Sequence, residues 1–152
     1  MIQRIQTLYL FIVAVLTAVM CFFPIASFNY GIVDMQLMVY GVGNQIDTIF
    51  FGSAYTWPLI ALTVAMLVLP VWSALIFKKR HTQLKLIQLD MLLTAIFVGL
   101  ILLYYVSDIA KTISCEKMHY NLGVYFPMAN IVFLVLAKRG VRKDIELLRS
   151  VD

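Results

Sequence analysis

Apolar residues fill long windows of this chain, and the charged residues fall almost entirely between them. No charged residue lies from Ile5 to Val33 or from Thr48 to Phe77, and shorter uncharged windows run from Met91 to Ser107 and from Met118 to Ala137. A bilayer core about 30 Å thick needs about 20 helical residues at 1.5 Å rise, so each window holds one span, provided that the third begins before Asp90. The pattern predicts spans near Ile5 to Ile25, Trp57 to Phe77, Leu86 to Val106 and Leu122 to Ala137. The expected fold is an all-α integral membrane protein, a four-transmembrane-helix bundle forming a single domain over residues 1–152.

Composition agrees: 62% of the 152 residues are hydrophobic and 13% charged, against roughly 25% charged in a soluble domain. A disordered tail, a disulfide-stapled secreted mini-protein and a multidomain enzyme are excluded. Arg4 ahead of a long apolar run resembles a signal peptide. The run exceeds the usual apolar region of a signal, however, and Pro24 spoils the cleavage motif, so the first span is expected to be retained.

The basic residues set the orientation. Arg4, Lys78, Lys79, Arg80, Lys85, Lys138, Arg139, Arg142, Lys143 and Arg149 fall on one side of the predicted spans, and only Lys111 and Lys117 on the other. By the positive-inside rule both termini and the middle loop are cytoplasmic. The net charge of +4 is thus a topology signal that needs no nucleic-acid partner. Tyr30, Tyr55, Trp57, Tyr104, Tyr105, Tyr120 and Tyr125 fall near the outer interface, where amphipathic rings sit among headgroups.

Between the first two spans, Met35, Leu37 and Val39 alternate with Asp34, Gln36, Met38 and Tyr40, and Gly41, Gly43 and Asn44 supply turn residues before a second run around Ile49 to Phe51. A small antiparallel β-hairpin on the outer ends of the helices is expected. It reads as a lid on the bundle or, given its length, as a docking surface. Beyond Gly140, Val141, Ile145 and Leu148 recur at helical spacing while Arg142 and Glu146 pair i to i+4. That predicts a short amphipathic cytoplasmic C-terminal helix on the inner leaflet.

Polar residues inside the spans are the candidates for chemistry. Asp90 is the one acidic residue in a span, and a carboxylate there takes a proton or pairs across helices. Arg4 and Arg139 are its candidate partners, with Gln3, Gln6, Thr7 and Gln88 completing a polar cluster. Asn130 reads as glue between helices. Pro70 predicts a kink in the second span. Ala14 with Ala18, Ala61 with Ala65, and Ala95 with Gly99 are small pairs that suit close helix packing. Cys21 and Cys115 are a candidate disulfide on the outer side, but no C-x-x-C pair is present. Cys115 and His119 lack two further zinc ligands on the same side. No H-E-x-x-H, P-loop or G-x-S-x-G occurs, and no cofactor or metal is implied.

Three segments carry a family resemblance: Met1 to Leu10, reading M-I-Q-R-I-Q-T-L-Y-L; Lys78-Lys79-Arg80 followed by Gln83; and Ala137 to Asp144 with Leu148 to Asp152. They resemble a family of small four-span membrane proteins of Bacteroidota known only as a domain of unknown function. The resemblance covers the whole chain. It implies a bacterial inner-membrane location, so that the hairpin is periplasmic, and it brings no activity or catalytic residue. The sequence ends at Asp152, where members of that family often run on with further basic residues.

The expected function is therefore a non-enzymatic accessory or scaffolding subunit of a membrane complex. Its partners would be the lipid bilayer and other membrane-protein subunits, met through a cytoplasmic face of Lys78, Lys79, Arg80, Arg142, Lys143 and Arg149 or through the hairpin. The alternative is a small carrier or channel-like protein that moves protons or a solute past Asp90 and Asn130. A thiol enzyme using Cys21 and Cys115 stands third.

Overall fold

The fold was analysed in a computed structural model that describes residues 2–30, 33–44, 53–76, 79–113 and 117–149, with side chains described over 5–28, 35–43, 55–76, 79–111 and 118–147. Helix α1 covers Ile2–Met20 and α2 covers Trp57–Leu75, preceded by a 3-10 turn at Ser53–Thr56. Helix α3 (Arg80–Gly99) passes through a π-helical segment, Leu100–Tyr105, into α4 (Val106–Ile113). Helix α5 runs from Leu122 to Arg149. Three of these helical stretches, Trp57–Leu75, Arg80–Lys111 and Leu122–Leu147, are long and apolar enough to cross a membrane, and Ile5–Met20 is a shorter apolar helix.

The helices pack as antiparallel neighbours, α1 against α5 and α2, and α3 against α5 and α2. The tight turn after α2, with the Lys79 amide donating to the Ile76 carbonyl at 3.2 Å, sets α3 beside α2. One end of this assembly carries the basic residues and the other carries a sheet.

That sheet is larger than the hairpin expected from the sequence. Four antiparallel strands lie in the order β3 (Gly41–Asn44), β2 (Val33–Met38), β1 (Ala26–Tyr30), β4 (Lys117–Tyr120). The predicted strand around Met35 is the second strand; its partners are the chain leaving α1 and the Gly41–Asn44 segment read as turn. The expected run at Ile49 to Phe51 lies outside the described residues. Strand β4 lies between α4 and α5 in the chain and places His119 opposite Ser27. The Ile25 amide donates to the Leu37 carbonyl (2.7 Å) and the Asn121 amide to the Ile25 carbonyl (3.0 Å), so the sheet is bonded to both helix ends that enter it. Ile25, Ala26, Phe28, Leu37 and Val42 are buried beneath it against Met20, Leu59, Phe97, Ile101 and Ile109.

Two other expectations change. The tail beyond Gly140 is not a separate surface helix: α5 continues unbroken to Arg149. Gly140 is tolerated within it because the backbone there presses on α1, where an added Cβ would lie 2.9 Å from Gln6 Cγ. The helix that carries the third expected span begins at Arg80. Its π-helical turn advances the buried stripe by one residue, so Tyr105 faces inward at 2% exposure while Tyr104 remains 54% exposed. Tyr105 is therefore a core residue and not one of the interfacial rings.

Candidate functional site

The buried positions of all four packed helices step by three and four residues. They are Gln6, Leu10, Val13, Thr17 and Met20 on α1; Leu59, Thr63, Met66, Pro70 and Ser73 on α2; Gln83, Ile87, Asp90, Thr94 and Phe97 on α3; and Pro127, Asn130, Leu134, Ala137 and Val141 on α5, whose first turn also buries Gly123 and Val124. That spacing is the seam of left-handed helix packing, in which facing side chains meet in layers.

Three contacts set the register of α1, α3 and α5: Gly140 against Gln6, Asn130 Nδ2 donating to Thr17 Oγ1 at 2.9 Å, and the Arg80–Asp144 ion pair at 3.0 Å; α2 is placed by counting back from the turn between Ile76 and Lys79. Counted from the basic end on that register, the first layer holds Gln6, Ser73, Gln83 and Val141. The second holds Leu10, Pro70, Ile87 and Ala137, and the third Val13, Met66, Asp90 and Leu134. The fourth is polar on every helix, with Thr17, Thr63, Thr94 and Asn130, and the fifth closes with Met20, Leu59, Phe97 and Pro127.

Asp90 is 1% exposed, and neither carboxylate oxygen has a hydrogen-bond partner among the described residues. Asn130 is fully buried and its Oδ1 likewise lacks a partner, as do Ser73 Oγ and Gln6 Nε2. The threonines of the fourth layer spend their hydroxyl protons locally: Thr17 donates to the Val13 carbonyl at 2.8 Å, Thr63 to Leu59 at 2.7 Å, and Thr94 to Asp90 at 2.8 Å. Pro70 has no amide hydrogen, so the Met66 carbonyl loses the donor an unbroken helix supplies. Among the described residues, the third and fourth layers thus hold several unpartnered oxygen acceptors, against the second amide hydrogen of Asn130 as a remaining side-chain donor. A buried polar group left in that state costs about 1–3 kcal/mol, more when charged.

A family model described as a domain of unknown function, DUF4293, matches residues 2–152. The chain belongs to this family. No curated protein matches it. No solved structure does either. The family match covers every residue of the site just described in this DUF4293 protein and brings no activity with it.

The structure places the other candidates as follows. Arg139 is exposed, and the register puts it beside Lys85, roughly 7 Å along the axis from Asp90 at 1.5 Å per residue. The side chain of Arg4 lies outside the described residues. Gln6 is buried as expected, but Gln88 is exposed and Gln83 takes the interior place, because residues 83, 87 and 90 share the inward stripe and 88 does not. Cys21 donates its thiol to the Thr17 carbonyl at 3.6 Å, and the Cys115 half of the expected disulfide lies outside the described residues. Of the basic face, Lys79, Arg142 and Lys143 are exposed, and Arg80 donates to the Asp144 main-chain carbonyl at 3.1 Å and pairs with its carboxylate at 3.0 Å. The side chains of Lys78 and Arg149 are among those not described.

Sequence reasoning missed a second polar group, at the sheet end. Tyr55 donates to Asp108 Oδ2 at 2.7 Å, and Tyr105 donates to the Tyr55 carbonyl at 2.8 Å with the two rings edge-on at 5.0 Å. Burial, then the adjacent carboxylate, holds the Tyr55 hydroxyl above the ordinary tyrosine range. This network fastens the start of α2 to α4, and each hydroxyl in it has a partner.

Proposed function

We propose that this DUF4293 protein is a four-span bundle in the bacterial inner membrane, with both termini and the α2–α3 turn in the cytoplasm, acting without catalysis as an accessory or scaffolding subunit of a membrane complex. The membrane reading is supported by an inverted distribution of polarity. Phe11, Val64, Trp72, Leu92, Leu103 and Val132 face outward, whereas Gln6, Thr17, Gln83, Asp90 and Asn130 are buried. Lipid makes the outer face apolar and leaves polar contacts between helices as the glue. The ten-to-two excess of basic residues described above orients the bundle.

One observation carries the scaffolding role. Helix α5 continues past the Gln6 layer, ion-paired to the first turn of α3 through Asp144 and Arg80, and leaves Arg142 and Lys143 exposed, as Lys79 and Lys85 are at the start of α3. A fixed basic platform at the membrane surface suits a neighbouring subunit with an acidic face. The test is the native mass of the complex extracted in mild detergent. Wild type is expected to migrate as an assembly larger than its own oligomer, and Arg142→Glu combined with Lys143→Glu to migrate as the small form. Equal mass for both proteins would count against the role.

A further inference from the structure

Among the described residues, Asp90 and Asn130 keep buried oxygens without hydrogen-bond partners in adjacent layers, apart from the unpartnered Gln6 and Ser73 nearer the basic end. A carboxylate inside a membrane bundle is stabilised only by a proton, by a cation or by a pairing side chain. No described side chain pairs with Asp90. The residues that face its layer and the two layers beside it from α1, α2 and α5 are Leu10, Val13, Thr17, Thr63, Met66, Pro70, Asn130, Leu134 and Ala137, none of which titrates. The remaining ligands are hard oxygens: two from Asp90, the unpartnered Oδ1 of Asn130, and the Met66 carbonyl that Pro70 leaves without its helical donor.

We propose that these two layers form a binding site for one small monovalent cation, H+ or Na+, held on Asp90 together with Asn130 and the main-chain oxygen of Met66. Charge decides the valence. Asp90 supplies a single negative charge, so a monovalent ion leaves the site neutral, whereas a divalent ion would leave an uncompensated charge in a low-dielectric interior. Ligand type decides the class, because carboxylate, amide and peptide oxygens suit hard cations and exclude thiophilic metals. A proline-interrupted helix that frees a carbonyl at depth beside an acidic side chain is a physical solution open to membrane proteins, which otherwise keep every backbone group bonded. The sheet side of the site is closed by Met20, Leu59 and Phe97 and the apolar core behind them, whereas toward the basic end a single apolar layer, Leu10, Pro70, Ile87 and Ala137, separates it from the polar layer of Gln6, Ser73 and Gln83.

The inference rests on the membrane-spanning reading above. Its test is modification of Asp90 by dicyclohexylcarbodiimide, an apolar reagent that attacks protonated carboxyl groups, in membranes containing the full chain, with mass spectrometry of the modified residue. Asp90 is expected to react faster as pH falls and not at all as Asp90→Asn. If Na+ is a ligand, labelling falls about tenfold with Na+ at about ten times its dissociation constant, choline serving as the ionic-strength control. Dependence on pH without Na+ protection assigns the proton as the ligand, and protection by Na+ assigns Na+; both support the site. Pro70→Ala returns an amide donor to the Met66 carbonyl and strengthens the helix, so it is expected to shift the pH or Na+ profile without unfolding the protein, as is Asn130→Ala. No reaction at Asp90, or a reaction indifferent to pH, to Na+ and to both variants, overturns the proposal. Impermeant maleimide labelling of Lys79→Cys in spheroplasts of the same cells reads the span assignment separately, so failure of either reading is seen apart from the other.

Discussion

The two halves of the molecule solve the problem of buried polarity differently. At the sheet end, Tyr55, Tyr105, Asn121 and Ser27 are all hydrogen-bonded, Asn121 Nδ2 lying 2.5 Å from Ser27 Oγ. They sit around a dense core that includes Phe28, Phe97 and Ile101. Toward the basic end, Asp90, Asn130, Ser73 and Gln6 each keep an atom without a partner, although the packing around Leu10, Ile87 and Leu134 is as regular as elsewhere. The polar groups named in the first half are all hydrogen-bonded and stabilise the fold. The second keeps groups that cost stability unless a ligand or proton meets them.

Substitutions separate the two halves, and the melting of the detergent-solubilised protein reads most of them. Phe28→Ala, fully buried between the sheet and the helices, is expected to destabilise by about 3–5 kcal/mol as a cavity in the satisfied half. Asp90→Leu is expected to act in the opposite direction, stabilising by roughly 1–3 kcal/mol, because it removes an orphaned group of similar size. A loss on that substitution would show that Asp90 is already paired. Gly123→Ala places a Cβ 2.6 Å from the Pro24 carbonyl oxygen, and the backbone shift it forces is expected to cost about 1–3 kcal/mol.

Smaller effects sharpen the comparison. Asn130→Ala loses the bond to Thr17 and is expected to cost on the order of 1 kcal/mol, as interhelical hydrogen bonds in lipid do. A double-mutant cycle on Arg80→Gln and Asp144→Asn is expected to return a coupling of about 1 kcal/mol or less, since the pair sits near the surface at the basic end. Tyr55 gives a pH dependence with a definite sign. Its hydroxyl ionises less readily in the fold than its ordinary value of 10.0. The network's contribution is therefore fully present below that value and is lost as pH rises through the raised one. Spectrophotometric titration with Tyr55→Phe as reference measures it.

Much of the helical layout was legible in the sequence, because uncharged windows report the length of a helix directly. Which face of each helix turns inward was not, since lipid accepts apolar residues on the outside as readily as the core does on the inside. Polar residues are the markers that remain. Asp90, Asn130 and Gln6 were read as such, whereas Thr17, Thr63, Ser73, Gln83 and Thr94 were passed over because each alone is unremarkable in a helix. The steps from Gln83 to Asp90 to Thr94, and from Thr63 to Met66 to Pro70 to Ser73, hold the signal. The sheet was underread for a different reason. Strand β4 pairs with a segment far earlier in the chain, Met118 opposite Phe28, and no local pattern announces such a partner. Gly140 read as a helix end because glycine commonly stands there; only the close approach of Gln6 explains its place inside α5.

The most direct measurement of the central claim is single-cysteine labelling with a membrane-impermeant maleimide in intact spheroplasts, on a background of Cys21→Ser and Cys115→Ser. Tyr40→Cys, at the exposed turn of the sheet, is expected to react from outside, while Lys79→Cys and Lys143→Cys react only after the membrane is opened. Reaction of Lys79→Cys or Lys143→Cys in intact spheroplasts, or protection of Tyr40→Cys, would contradict the four-span arrangement on which the scaffold and the buried Asp90 site depend.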